Sequence, residues 1–294
     1  MTASPLLSVF LPLALGIIML GLGLSLTLAD FARVVKYPKP VLIGLFCQLL
    51  LLPLACFFMV QAFGLAPALA VGMMLLAASP GGTSANLYSH LAHGDVALNI
   101  TLTAVNSVVA VLTMPFIVNL SLAYFMEGDQ AIPLQFTKVL QVFAIVLGPV
   151  AIGMFLRSRF PGFALRMENP VKIISALFLL LIIILALVKD WQTVLDYAPV
   201  VGAAALAFNL LSLAVGYLVP RLLKLSLRQA IAIGMEIGIH NGTLAIALAL
   251  SPVLLNNSTM AIPAALYSII MFFTAAAFGW WVNAAHGKQL KAEA

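Results

Sequence analysis

Charge is what this sequence has least of. Only 8% of its 294 residues are Asp, Glu, Lys or Arg, where a water-soluble domain carries about 25%. Hydrophobic residues make up 64% and the mean hydropathy is +1.16. No soluble fold has the interior to hide that much apolar surface, so lipid is the expected solvent. Cysteine is nearly absent. Cys47 and Cys56 lie in apolar stretches, form no metal motif and are not expected to pair. No basic residue precedes the first apolar run, so no cleavable leader is expected. Also missing are a Gly-x-Ser-x-Gly elbow, a zinc motif and an acidic metal-diphosphate motif. Ser84 and His90 are six residues apart, just after a helix break, and do not read as a hydrolytic pair. Enzyme chemistry is therefore not expected. The net charge of +5 comes from short clusters between apolar runs, a pattern of membrane topology rather than of nucleic-acid binding.

What is present is a series of nine apolar segments, roughly Leu6–Leu28, Pro40–Phe63, Ala66–Ala92, Val96–Tyr124, Leu134–Leu156, Pro170–Val188, Pro199–Leu222, Leu227–Leu250 and Ala261–Val282. Most reach the ~20 residues that cross the hydrocarbon as a helix. With the N-terminus outside and the segments alternating, twelve basic residues fall at inside ends: Arg33, Lys36, Lys39, Arg157, Arg159, Arg166, Lys172, Arg221, Lys224, Arg228, Lys288 and Lys291. Only Lys138 and Lys189 fall outside. That bias predicts an outside N-terminus and a cytoplasmic C-terminus in the plasma (inner) membrane. The inside loop at His90, His93 and Asp95 holds no Lys or Arg and argues neither way. Trp280 and Trp281 suit an interfacial belt. Gly16 and Gly23 share a helix face and permit a close helix contact.

Two segments are interrupted. The third contains Ser79-Pro80-Gly81-Gly82-Thr83-Ser84, and the eighth contains Glu236-Ile237-Gly238-Ile239-His240-Asn241-Gly242-Thr243. Proline and glycine are poor helix formers, and irregular backbone at mid-membrane survives only inside protein or around a wet cavity. One further span follows each break. An amide precedes each at similar distance: Gln48 lies 34 residues before Gly82, and Asn209 lies 33 before Gly242. The two broken segments run in opposite directions. This pattern predicts an inverted repeat whose first half is one helix short, and paired broken helices in inverted halves point to a transporter site. An open channel suits such an occluded arrangement less well.

Glu236 is the only charged residue in the middle of an apolar segment. Placing a charge there costs about 2.5–3.5 kcal/mol on insertion scales. No Lys or Arg stands at matching depth in the sequence, so a bound cation is the natural counter-charge. The oxygen side chains of Gln48, Thr83, Ser84, Asn86, Asn99, Thr103 and Asn241 are candidate ligands for a hard cation, with ordinary interhelical hydrogen bonds as the alternative for any one of them. Asn99 and Thr103 share a helix face. The half-helices that begin near Ser84 and Thr243 present N–H groups and a positive dipole end to an anion. His240 can be a neighbour of the cation, a pH-sensitive group or a packed, hydrogen-bonded side chain.

These motifs resemble the bile acid:sodium symporter family, in its bacterial form. The resemblance covers nearly the whole chain. It includes Gly16-Ile17-Ile18-Met19 with Gly21, Gly23 and Leu26; Gln48 followed by Pro53; the run Ser79 to Asn86; Gly94-Asp95-Val96-Ala97-Leu98; Thr103; and Glu236-Ile237-Gly238-Ile239-His240-Asn241. It implies an all-α polytopic membrane protein of nine transmembrane helices in one membrane domain, 1–294. A panel domain would occupy about 1–30 and 134–190, and a core domain with two crossing broken helices about 38–125 and 196–285. It implies sodium-coupled symport of an organic anion, such as a bile acid, a steroid-like acid or a small pantoate-like carboxylate, with one or two sodium ions and no obligate protein partner. One sodium site would use Asn86, Asn99, Thr103, Glu236 and backbone at Ala85. A second would use Gln48, Glu236, His240 and the carbonyls of Ile237 and Ile239. The anion would sit near Thr83, Ser84, Asn241 and Gly242. The chain departs from the family at Ala85 and Asn99, where serines are usual, and at His240, where glutamine is usual. It also has Met271 and Phe272 where relatives can show His-Asn. A proton-coupled transporter using Glu236 and His240 is the alternative that this histidine suggests.

Overall fold

The computed structural model describes residues 5–126, 136–167, 191–251 and 254–292, with isolated positions between 170 and 181. Among these residues the chain is helical and has no β-strand beyond a single isolated bridge. The apolar segment Pro170–Val188, with Lys172 and Lys189, lies largely outside the described residues. The described parts of the other eight segments are helical, apart from one bend, one π-helical turn and two breaks.

The first segment forms α1 (Pro5–Ser25). It does not stop in a loop: after a bend of 58° the chain enters a short helix, α2 (Leu28–Lys36). The carboxylate of Asp30 accepts from both the backbone N–H and the hydroxyl of Thr27, each at 2.7 Å, and pairs with Arg33 at 2.6 Å. These contacts start α2 in the new direction.

The second segment is α3 (Pro38–Phe46), one π-helical turn (Cys47–Leu51) and α4 (Leu52–Ala62). The π-turn was not expected, and Pro53 supplies its physical reason. Proline has no N–H to donate, and its ring crowds the carbonyl four residues back, so the preceding turn widens. Gln48 lies in that widened turn and is buried.

The third segment is α5 (Pro67–Ala78), a break and α6 (Ser84–Leu91). α7 (Val96–Phe125) follows, capped by Asp95, whose side chain accepts from Leu98 N–H at 3.0 Å. α8 (Phe136–Arg159) carries the fifth segment. α9 (Trp191–Leu222) begins upstream of its expected start and continues through Pro199. α10 (Leu227–Gly238), the second break and α11 (Gly242–Leu250) form the eighth segment. A short turn at Thr259–Ala261 leads into α12 (Ile262–Ala292).

The two half-helices before the breaks are the most enclosed. α5 is buried on all sides from Leu69 to Ala78, and α10 from Ala230 to Gly238. A helix that is apolar all round belongs in the interior. α10 packs against α9, α6 and α7, while α5 packs against α7, α4 and α12. α1 lies mainly along α8, where Gly23 lies so close to Val150 that a Cβ would overlap its backbone carbonyl. This is the close contact anticipated from the glycine spacing, and Gly153 of α8 makes the same approach from the other side. Cys47 and Cys56 are buried free thiols.

Candidate functional site

The two breaks meet. Gly81 and His240 form an antiparallel bridge. Gly82 N–H donates to Ile239 O at 2.6 Å, and Asn241 N–H donates to Pro80 O at 2.8 Å. Each unwound stretch leaves peptide groups that lipid cannot satisfy, and the two stretches satisfy each other. The second break is narrower than the sequence suggested. α10 persists through Glu236 to Gly238, so Glu236 sits in the last turn of a helix and not in the unwound segment.

The amides singled out by their spacing do equivalent jobs. Gln48 Nε2 donates to Ser79 O at 2.7 Å, at the end of α5. Asn209 Nδ2 donates to Gly238 O at 2.9 Å, at the end of α10. Each caps a carbonyl released by a break. They differ in what remains. Asn209 Oδ1 is taken by the Thr274 hydroxyl, whereas Gln48 Oε1 is buried without a partner. Tyr267 OH also donates to Gly238 O, at 2.8 Å, so that carbonyl has both lone pairs engaged.

Glu236 is fully buried. Thr103 Oγ1 donates to its Oε2 at 2.6 Å, and Asn106 Nδ2 approaches Oε1 at 3.4 Å. Among the described residues no Lys or Arg is seen in an ion pair with it. Three further amide oxygens, Asn86 Oδ1, Asn99 Oδ1 and Asn106 Oδ1, are buried and accept nothing. Asn99 is oriented by donation from Nδ2 to Ala232 O at 2.7 Å. A dry polar atom with no partner costs about 1–3 kcal/mol. Gln48, Asn86, Asn99 and Asn106 thus each leave an amide oxygen without a donor, in a protein that also buries a carboxylate. Hard cations take such oxygens. Among the described residues no three of His, Cys, Asp and Glu gather as a softer metal would need.

His240 is buried, stacked on Phe208 and edge-on to Tyr267. Its Nδ1 lies 3.3 Å from Ser79 O and 3.4 Å from Gln48 Nε2, and its Nε2 has no partner. Ala85, Ile237 and Ile239 are buried around the crossover. The Ile239 carbonyl already accepts from Gly82.

The residues expected at the anion are less enclosed. Thr83, Ser84 and Asn241 are partly exposed, and Gly242 is buried with the Ser268 hydroxyl against it. Asn241 Oδ1 accepts from Leu244 N–H at 3.0 Å and so caps the start of α11. The start of α6 carries no side-chain cap from Thr83. Sequence reasoning missed Asn106, Tyr267 and Thr274. Asn106 had a signal, because it follows Asn99 and Thr103 on the same helical face. Tyr267 and Thr274 had none, since their targets come from other helices.

The chain matches the family model described as "Sodium Bile acid symporter family" over residues 12–196. It is 27% identical over 263 residues to the uncharacterized sodium-dependent transporter YocS of Bacillus subtilis, covering 90% of this chain and 79% of that protein. It is 28% identical over 255 residues to the probable chloroplastic sodium/metabolite cotransporter BASS1 of Arabidopsis thaliana, covering 87% of this chain and 62% of that protein. It is also 28% identical over 299 residues to the human ileal sodium/bile acid cotransporter, covering 99% of this chain and 84% of that protein. The names describe transporters, not enzymes. The apolar helices, the mutually paired breaks and this match agree: the chain is a multi-pass membrane protein that belongs to the sodium bile acid symporter family.

Proposed function

We propose that the chain is a sodium-coupled symporter that carries an organic anion by alternating access. The observation that carries this reading is Glu236: a buried carboxylate beside two joined helix breaks, with neutral donors on it, no basic partner among the described residues, and the unpartnered amide oxygen of Asn106 on a side chain that touches it. Sodium is the charge that this set lacks. One ion would be held by Glu236, Thr103, Asn99, Asn86 and backbone at Ala85. A second would be held by Gln48, Glu236, His240 and the carbonyls of Ile237 and Ile239. An uncompensated Glu236 repels an approaching carboxylate. A cation placed first removes that repulsion, which is strong in a low-dielectric interior. The anion then meets the start of α6 and the polar groups of Thr83, Ser84, Asn241 and Gly242.

The proposed architecture has nine spans, an outside N-terminus and a cytoplasmic C-terminus in the plasma membrane. The panel would be about 1–30 and 134–190, which holds α1 and α8, and the core about 38–125 and 196–285, which holds both broken helices. The equivalent capping by Gln48 and Asn209 supports an inverted repeat. The proposed substrates are bile acids, steroid-like acids or small pantoate-like carboxylates. The test is uptake into proteoliposomes of a radiolabelled bile acid and a radiolabelled small hydroxy acid, under an inward sodium gradient or an equal potassium gradient. Sodium-specific uptake that disappears in Glu236→Ala supports the reading. Uptake that survives in that variant overturns it.

One observation favours a second reading. His240 is buried beside Gln48 with an unpartnered ring nitrogen, which fits proton coupling through Glu236 and His240. Uptake driven by a pH gradient and indifferent to sodium would decide for it.

A further inference from the structure

We propose that Asn106 is a further ligand of the cation held at Glu236, presenting its side-chain oxygen. The proposal rests on the reading of Glu236 as a cation site. Asn106 is fully buried in the middle of α7, on the face that carries Asn99 and Thr103. Its neighbour Thr103 makes a short hydrogen bond of 2.6 Å to Oε2 of Glu236. Asn106 reaches the other carboxylate oxygen, Oε1, but only at 3.4 Å, the long end of the hydrogen-bond range. Its nitrogen must be the atom that faces the carboxylate, since the reverse would set two acceptors against each other. Its oxygen is then left buried with nothing to accept from. The side chain thus makes one weak contact and one unmet contact, poor terms for a group kept only to position Glu236.

A cation at the carboxylate reverses the preference. The terminal amide torsion is soft and roughly two-fold, so the group can turn its oxygen toward the ion, exchanging one long hydrogen bond for a charge–dipole contact. Thr103 keeps hold of Oε2 while this happens. Glu236, Thr103 and Asn106 then surround the ion from two helices, α7 and α10.

The test uses purified full-length protein in detergent. It reads the sodium concentration that gives half of the sodium-dependent rise in thermal unfolding temperature, with choline as the balancing cation. Two variants separate oxygen ligation from N–H donation. Asn106→Leu removes both groups at similar volume, and its half-saturating sodium concentration should rise by about tenfold or more. Asn106→Asp removes the N–H but keeps an oxygen, and should bind sodium at least as tightly as the native protein. It should also acquire a shift with calcium, which prefers more carboxylate oxygens. If Asn106→Asp is as impaired as Asn106→Leu, Asn106 acts only as a donor and the proposal falls. It falls as well if Asn106→Leu leaves the half-saturating concentration unchanged. Should either variant not fold, Asn106→Ser supplies a smaller oxygen donor. An intermediate sodium requirement is expected there, and a native one overturns the proposal. Glu236→Gln distinguishes the underlying reading. If native protein shows no sodium shift, or Glu236→Gln retains it, the cation site at Glu236 is wrong and this proposal falls with it. If those two behave as expected and only the Asn106 variants do not, Asn106 alone is misassigned.

Discussion

Gly81 lies directly against the carboxylate of Glu236, so close that a Cβ on residue 81 would overlap both carboxylate oxygens. The first break thus seats the acidic side chain of the second. Only glycine leaves that space. Gly81→Ala must push the carboxylate off Thr103 or open the bridge to His240, because the added methyl would take the carboxylate's place. Sodium-dependent stabilisation should weaken by about tenfold or more, measured by thermal shift. A native response would mean that this contact does not position the carboxylate.

Gly238 O receives two donors, Asn209 and Tyr267. Losing one leaves the other in place. Asn209→Ala and Tyr267→Phe should each cost about 1 kcal/mol of stability. Together they should cost more than their sum, because only the double variant leaves that carbonyl dry. A double-mutant cycle on thermal stability checks this, and strict additivity would show that the two donors do not share one acceptor.

Glycine substitutions should split by location. At Gly23 a side chain meets the Val150 backbone of α8, whereas at Gly202 in α9 nothing lies within 4 Å. Gly23→Val should lower stability by about 1–3 kcal/mol through overpacking. Gly202→Ala should be neutral or raise it by up to about 1 kcal/mol, since alanine is the better helix former. Unfolding temperatures of the two variants measured side by side test the packing of α1 on α8.

Orientation can be read chemically because the native thiols are hidden. Cys47 and Cys56 are buried, so the native chain should resist a membrane-impermeant maleimide. Lys39 is exposed just after α2. Lys39→Cys should be labelled in inside-out vesicles and protected in intact cells. The opposite pattern would reverse the proposed topology.

The parts of the site that sequence exposed were those that violate local rules. Pro80, Gly81 and Gly82 sit where a membrane helix should continue, and Glu236 sits where charge is costly, so each stood out without any fold. The spacing of Gln48 and Asn209 before their breaks was readable for the same reason. What stayed hidden depends on a second helix. Nothing local to Pro80 or Asn241 shows that their backbones bond to each other. Nothing local to Tyr267 shows that its hydroxyl reaches a carbonyl of α10. Asn106 shares the face of Asn99 and Thr103, but nothing local to it shows that Glu236 lies opposite. The π-turn at Gln48 was legible in principle from Pro53, but proline alone does not say whether a helix kinks, ends or widens. The bend after Ser25 had a cue in Thr27 and Asp30, a cap and its partner three residues on, which the apolar pattern masked.

The most direct measurement is equilibrium binding of radiolabelled sodium to purified protein, native against Glu236→Gln. Saturable binding by the native chain, lost in the amide variant while the unfolding temperature without sodium is kept, is the expected result. Equal binding by both proteins would contradict the central role given to this carboxylate.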